Sequence, residues 1–142
     1  MATSGLTPES TAPAPAAAAI VLVGGRSTRM GADKASLVVD GVAMRDRVLS
    51  AVAAAGISTV IVAGTEQVPD AAPAGTRAGS DAASQGPLAG IVGAWRSLLA
   101  EQPVVPSPIV VLACDLPWLV ADVITDLIDA CRHHTYGAVA HD

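Results

Sequence analysis

An apolar, β-branched run halts at two glycines in Val21-Leu22-Val23-Gly24-Gly25-Arg26-Ser27-Thr28-Arg29-Met30-Gly31-Ala32-Asp33-Lys34. The loop beyond presents the cations Arg26, Arg29 and Lys34 among small residues. Such a run suits a buried parallel strand. Gly24 and Gly25 let backbone N–H groups approach a ligand with no Cβ in the way. An arginine can grip phosphate oxygens with a bidentate fork, and a lysine acts on them as a point charge. The layout is that of a nucleoside triphosphate site at the end of a strand. The plainer alternative is a glycine turn with solvated charges.

Neither common phosphate loop fits. A Walker A loop needs G-x-x-x-x-G-K-[ST], and here Lys34 follows Asp33. The dinucleotide fingerprint G-x-G-x-x-G needs separated glycines, and these are adjacent.

At 142 residues, with 51% hydrophobic residues, the chain is long enough for one domain with a substantial core. Aromatics are 2% and Phe is absent, so that core has to be Ala, Val, Leu and Ile. There is almost no aromatic platform for stacking a nucleic-acid strand. The net charge of −5 also argues against nucleic acid or a membrane surface as partner. Yet five of the eight Lys and Arg residues (Arg26, Arg29, Lys34, Arg45 and Arg47) fall in one stretch. Cations gathered beside a glycine loop point to a small polyanion.

Apolar runs broken by Gly and Pro leave no stretch able to span a bilayer. Cys114 and Cys131 form no C-x-x-C pair, which fits a reduced cytoplasmic chain with Cys114 as a small buried hydrophobe. Cys131-Arg132-His133-His134 is a poor ligand set, because neighbours on a helix point in different directions.

Residues 1–16, rich in Ala, Pro, Ser and Thr, are expected to form a disordered tail ahead of a domain over 17–142. Within the domain, strands are expected at 17–23, 59–63 and 109–113, all buried, with a further one starting at Gly137. Leu37-Val38-Val39-Asp40-Gly41-Val42 reads as a small type I′ hairpin. Residues 43–55 have helical spacing and end at Gly56. Residues 64–86 read as a long loop with a short edge strand near Thr76. A helix over 88–100 places Ile91, Trp95 and Leu98 on one face, and one over 120–132 turns Val123, Leu127 and Ala130 or Cys131 inward.

Strand and helix in alternation predict a parallel sheet with helices on both faces, a three-layer α/β/α Rossmann-like fold. Ligands bind beyond the carboxyl ends of such strands. The glycine loop, the 79–90 loop and Asp115 would share that edge. Asp115, in Ala113-Cys114-Asp115-Leu116-Pro117-Trp118, is a hard oxygen ligand suited to Mg²⁺ beside phosphates, or alternatively a turn cap before Pro117. Gly86-Pro87-Leu88-Ala89-Gly90 opens a helix whose backbone donors can read a base or a phosphate, and Pro87 suits its first position. Asp81 can accept from a base N–H or stand as a solvated loop residue.

Together, V-L-V-G-G-R-S-T-R-M-G-A-D-K, G-P-L-A-G-I and C-D-L-P-W-L resemble the molybdenum cofactor guanylyltransferase (MobA) family from residue 18 to about residue 140. The resemblance implies the nucleotide-diphospho-sugar transferase fold. It implies transfer of GMP from GTP to the phosphate of molybdenum-bound molybdopterin, with release of pyrophosphate. On that resemblance Leu22, Gly24 and Gly25 lie along the nucleotide, and Arg29 and Lys34 hold the triphosphate. Lys34 stabilises charge on the transferred phosphate, Asp81 with Gly86–Gly90 reads guanine, and Asp115 binds Mg²⁺.

Val23 stands where the family usually has Ala, and Ala63-Gly64 stands where some relatives carry an Asn. The family continues past the position of Asp142, so the expectation is a C-terminally incomplete domain with the GTP half present and the pterin half largely missing. An open sheet edge would then favour a partner: a second copy, or a protein of molybdoenzyme maturation. Two rival readings stand beside this one: a cytidylyl or sugar-phosphate nucleotidyltransferase, and a non-catalytic GTP- or partner-binding module.

Overall fold

The structure, a computed structural model, describes residues 16–23, 37–70, 72–79, 86–101, 104, 106–134, 137 and 139. Of the tail expected over 1–16, only residue 16 is among the described residues; it is exposed and in no strand or helix.

The apolar runs over 18–22, 59–63 and 109–113 become strands, because β-branched residues pack well on a pleated surface, and residues 76–79 join them. The strands are β1 (Ala18–Leu22), β4 (Thr59–Ala63), β5 (Thr76–Gly79) and β6 (Ile109–Ala113). They form one parallel sheet in the order β5-β4-β1-β6. The edge strand expected near Thr76 is therefore β5. A separate antiparallel pair, β2 (Val38–Val39) and β3 (Val42–Ala43), turns at Asp40 and Gly41. Both turn residues have positive φ, 50° and 80°, as a type I′ hairpin requires.

Helix α1 (Met44–Ala54) follows the hairpin directly, and the Met44 N–H donates to the Leu37 carbonyl at 2.9 Å. It ends in a Schellman motif around Gly56. Ile57 N–H donates to Val52 O at 3.3 Å and Gly56 N–H to Ala53 O at 3.0 Å, which satisfies carbonyls the helix leaves open.

Alternation along the strands sorts the core into two layers. Ala19, Val21, Val60, Val62, Val110 and Leu112 face α1 and α3 (Ala121–Arg132). Ala18, Ile20, Ile61 and Ala63 face α2 (Pro87–Glu101). With helices on both faces, the three-layer α/β/α architecture is established. The core is aliphatic, as the near-absence of aromatics requires.

Leu98 of α2 is buried as its spacing predicts, but for the rest two helices turn a neighbouring face inward. In α2 the buried residues are Gly90, Ala94 and Leu98, and Trp95 is 42% exposed. Small residues let the helix approach the sheet, and an indole in that seam would hold it away. In α3 the buried pair is Ile124 and Ile128, with Val123 39% exposed. The third run is also less buried than expected. Val110 and Leu112 are covered, but Val111, on the α2 side of β6, is 43% exposed. Of the strand expected from Gly137, only Gly137 and Val139 are described; neither is in a strand, and both are exposed.

Candidate functional site

The chain order of the strands sets a topological switch point. From β1 the chain moves through α1 to β4 and β5, then crosses by α2 to β6 on the opposite side of β1. The direction of winding reverses between β1 and β6. Open parallel sheets bind ligands at such a reversal, beyond the carboxyl ends of the strands.

Those carboxyl ends are held in one row. Leu22 is in register with Ala63 and with Ala113, and Ala63 with Gly79. Hydrogen bonds continue past the strands: Val23 N–H donates to Ala63 O at 2.8 Å, Gly64 N–H to Gly79 O at 3.2 Å, and Cys114 N–H to Leu22 O at 3.1 Å. The chain therefore leaves β1 toward the glycine loop beside the point where β6 delivers Asp115.

Three of the expected positions meet on this edge. Leu22 ends β1 and is half-buried in the layer under α2. Gly90 lies in the first turn of α2, its N–H donating to Gly86 O at 3.3 Å. A β-carbon on Gly90 would lie 3.5 Å from Leu22 Cδ2 and 3.6 Å from Ala63 Cβ. The start of α2 is thus seated over the ends of β1 and β4. Asp115 is exposed beyond β6. Gly86, at the head of α2, is partly buried. Gly24, Gly25, Arg29, Lys34 and Asp81 lie outside the described residues.

Asp115 is a single exposed carboxylate, a hard oxygen donor. Among the described residues there is no group of three or more His, Cys, Asp or Glu side chains able to hold an ion. Mg²⁺ is commonly held by one or two carboxylates beside waters and phosphate oxygens, so a lone carboxylate of this kind is compatible with such a site.

Two of the cations gathered beside the glycine loop have structural partners. Arg45 pairs with Asp46 at 3.2 Å. Arg47 donates to the Val39 carbonyl from Nε at 3.1 Å and from NH2 at 2.6 Å, and lies 3.6 Å from Asp40. This corrects the reading of the whole cationic stretch as a polyanion site. Arg47 pins the hairpin to α1. Its guanidinium also lies over the Trp118 ring, 6.0 Å from the centroid. No sequence pattern signalled that pair, because its members sit on separate elements far apart in the chain.

A groove of about 740 Å³ runs along β6 and α3 and includes Asp115 and Trp118 in its lining. Consecutive residues Ile109–Leu112 border it, so it follows the edge of the strand and not one face. Among the described residues no helix is long and apolar enough to cross a membrane.

Residues 19–142 match the model of the MobA-like NTP transferase domain family. The chain belongs to that family. A "probable molybdenum cofactor guanylyltransferase" of Opitutus terrae is 33% identical over 128 residues, which are 90% of this chain and 62% of that protein. A hypothetical transferase from Thermus thermophilus superposes with a TM-score of 0.59 at 28% identity, over 81% of this chain and 46% of the other. Rv0371c of Mycobacterium tuberculosis H37Rv, with a TM-score of 0.56 and 20% identity, shares the fold over 82% of this chain and 61% of its own. The chain thus spans less than two thirds of each of these relatives. Transfer from a nucleoside triphosphate is the chemistry of the MobA-like family.

Proposed function

We propose that this chain is a molybdenum cofactor guanylyltransferase, moving GMP from GTP to the terminal phosphate of a molybdopterin-type acceptor and releasing pyrophosphate. The observation that carries the reading is the place of Asp115, directly after Cys114, whose N–H donates to the Leu22 carbonyl at the end of β1, in a chain of the MobA-like family. The guanylyl preference is supported by the name of the Opitutus terrae relative and by Gly86-Pro87-Leu88-Ala89-Gly90 at the head of α2.

In this reading the acceptor phosphate attacks the α-phosphorus of GTP in line, the bond to the β-phosphate bridging oxygen breaks, and pyrophosphate leaves. No protein nucleophile is needed, so catalysis consists of positioning and charge neutralisation. Lys34 and Arg29 neutralise the triphosphate. Leu22, Gly24 and Gly25 lie along the nucleotide, and Asp81 with Gly86–Gly90 reads guanine. Asp115 would hold Mg²⁺, which would supply charge neutralisation at the phosphates and ease departure of pyrophosphate.

Calorimetric titration with GTP, CTP and ATP, with and without Mg²⁺, tests the proposal. Selective GTP binding strengthened by Mg²⁺ is expected. A preference for CTP would move the chain to a cytidylyl reaction. Absence of binding to all three in a folded sample would overturn the reading.

A further inference from the structure

We propose that Trp118, backed by Arg47, is the surface on which the planar ring of the acceptor stacks. The inference rests on the guanylyltransferase reading and adds to it a place for the acceptor's ring.

The chain has two Trp, one Tyr and no Phe. With so few aromatics, burying each one would serve the core best, yet Trp118 is 72% exposed. It follows Asp115 by three residues, a reach of at most about 11 Å of extended chain. A turn closed by Leu119 N–H donating to Leu116 O at 3.2 Å shortens that reach further. Asp115 and Trp118 line the same groove, whose volume of about 740 Å³ suits a small organic ligand.

The ring is not left to swing. The Arg47 guanidinium lies over it at 6.0 Å, and that guanidinium is itself fixed by two hydrogen bonds to the Val39 carbonyl. A cation over an indole fixes the ring's orientation, and the exposed remainder can take a second flat partner. An acceptor with an anionic end and a planar heteroaromatic end matches this pairing. Its phosphate would lie toward Asp115 and its ring against Trp118. Arg47 acts through Trp118 and is a positioning residue.

Trp95 sits on α2, on the opposite side of the sheet, so Trp95→Phe leaves Trp118 as the sole indole. In that chain, titration with free 6-hydroxymethylpterin should quench the emission saturably, with or without GTP. Trp118→Leu should bind the pterin about five- to a hundred-fold more weakly by calorimetry, the range expected for loss of one stacking platform. Trp118→Tyr should recover most of that loss, and GTP affinity should stay within about twofold in both variants.

Equal pterin affinity in Trp118→Leu would overturn the inference, as would pterin binding that leaves the Trp118 emission unchanged, or no saturable binding at all. Emission that shifts with protein concentration and not with pterin would overturn it too, assigning the indole to contact between copies. The GTP titration of the parent chain is independent of these arms. Its failure sinks the guanylyl reading, whereas pterin failure with GTP intact sinks this inference alone.

Discussion

The backbone N–H of Cys114 donates to the carbonyl oxygen of Leu22 at 3.1 Å, so the residue before Asp115 is locked to the last residue of β1. The backbone entering Asp115 is thereby tied to the sheet, one residue ahead of the turn toward Pro117. A carboxylate held on a rigid element can hold a metal at fixed geometry against phosphates. Asp115→Asn keeps the shape and removes the charge. We expect it to abolish the Mg²⁺-dependent part of GTP affinity and to lower guanylyl transfer by roughly two to three orders of magnitude. Because Asp115 is exposed, the thermal midpoint should not move. Titration with and without Mg²⁺, beside a melting curve, checks both. Unchanged Mg²⁺ dependence would mean that Asp115 only caps the turn before Pro117.

Gly90 separates packing from recognition. Its Cβ would make ordinary contacts at 3.5 Å and 3.6 Å, so alanine fits the seam under α2. Alanine also restricts the unfolded chain and favours the helix. Gly90→Ala is expected to raise stability by about 0.5–1 kcal/mol in urea unfolding, and the GTP titration of the same variant then reports what the ligand alone requires of this position. Gly90→Val would push methyl groups into Leu22 and Ala63, cost about 1–3 kcal/mol and tilt the head of α2. If Gly90→Ala were stable but lost GTP binding, the glycine would be needed by the ligand and not by the sheet.

The same glycine shows where the sequence is legible. The strands were readable because β-branched runs such as Thr59-Val60-Ile61-Val62-Ala63 can hardly be anything else when Gly and Pro bound them. The hairpin was readable because Asp40-Gly41 supplies two positive φ values. The inward face of α2 was not. Gly90 and Ala94 contribute almost no hydrophobic signal, whereas Ile91 and Trp95 dominate any periodicity, yet close approach to the sheet favours the small pair. Asp115 was legible as a polar residue at the end of an apolar run. Its bond to β1 through Cys114 and the Arg47–Trp118 pair depend on the order β5-β4-β1-β6, which no local pattern encodes.

At the start of β5, Thr76 Oγ1 is buried with no hydrogen-bond partner among the described residues. A buried hydroxyl without a partner loses its hydration and recovers nothing. Thr76→Val replaces it with a methyl of similar size, keeps the bond from the residue 76 N–H to Pro73 O, and suits a strand better. A gain of about 1 kcal/mol in chemical unfolding is expected, with GTP binding unaltered. Thr76→Ser, which keeps the hydroxyl and loses the methyl, should lower stability by about 1 kcal/mol. A loss in Thr76→Val would show that the hydroxyl does find a partner.

Arg47 and Asp40 form an ion pair at 3.6 Å, but the two side chains should contribute very unequally. The Arg47 guanidinium donates twice to the Val39 carbonyl, at 3.1 Å and 2.6 Å, and both bonds are charge-assisted. Asp40 is exposed, and an exposed pair at that distance contributes little. Asp40→Asn, which tolerates the positive φ of the turn, should change stability by less than about 0.5 kcal/mol. Arg47→Ala should cost about 1.5–3 kcal/mol, because it frees the hairpin from α1 and strips packing from the arginine stem. Amide hydrogen exchange locates the effect: protection should fall at the Val39–Val42 pairing in Arg47→Ala and persist in Asp40→Asn. In the same variant the Trp118 indole loses the cation above it, so in a Trp95→Phe background its emission should become more mobile by anisotropy. If Arg47→Ala left both hairpin protection and Trp118 anisotropy intact, the arginine would not be the pin between the hairpin and the edge that carries Asp115.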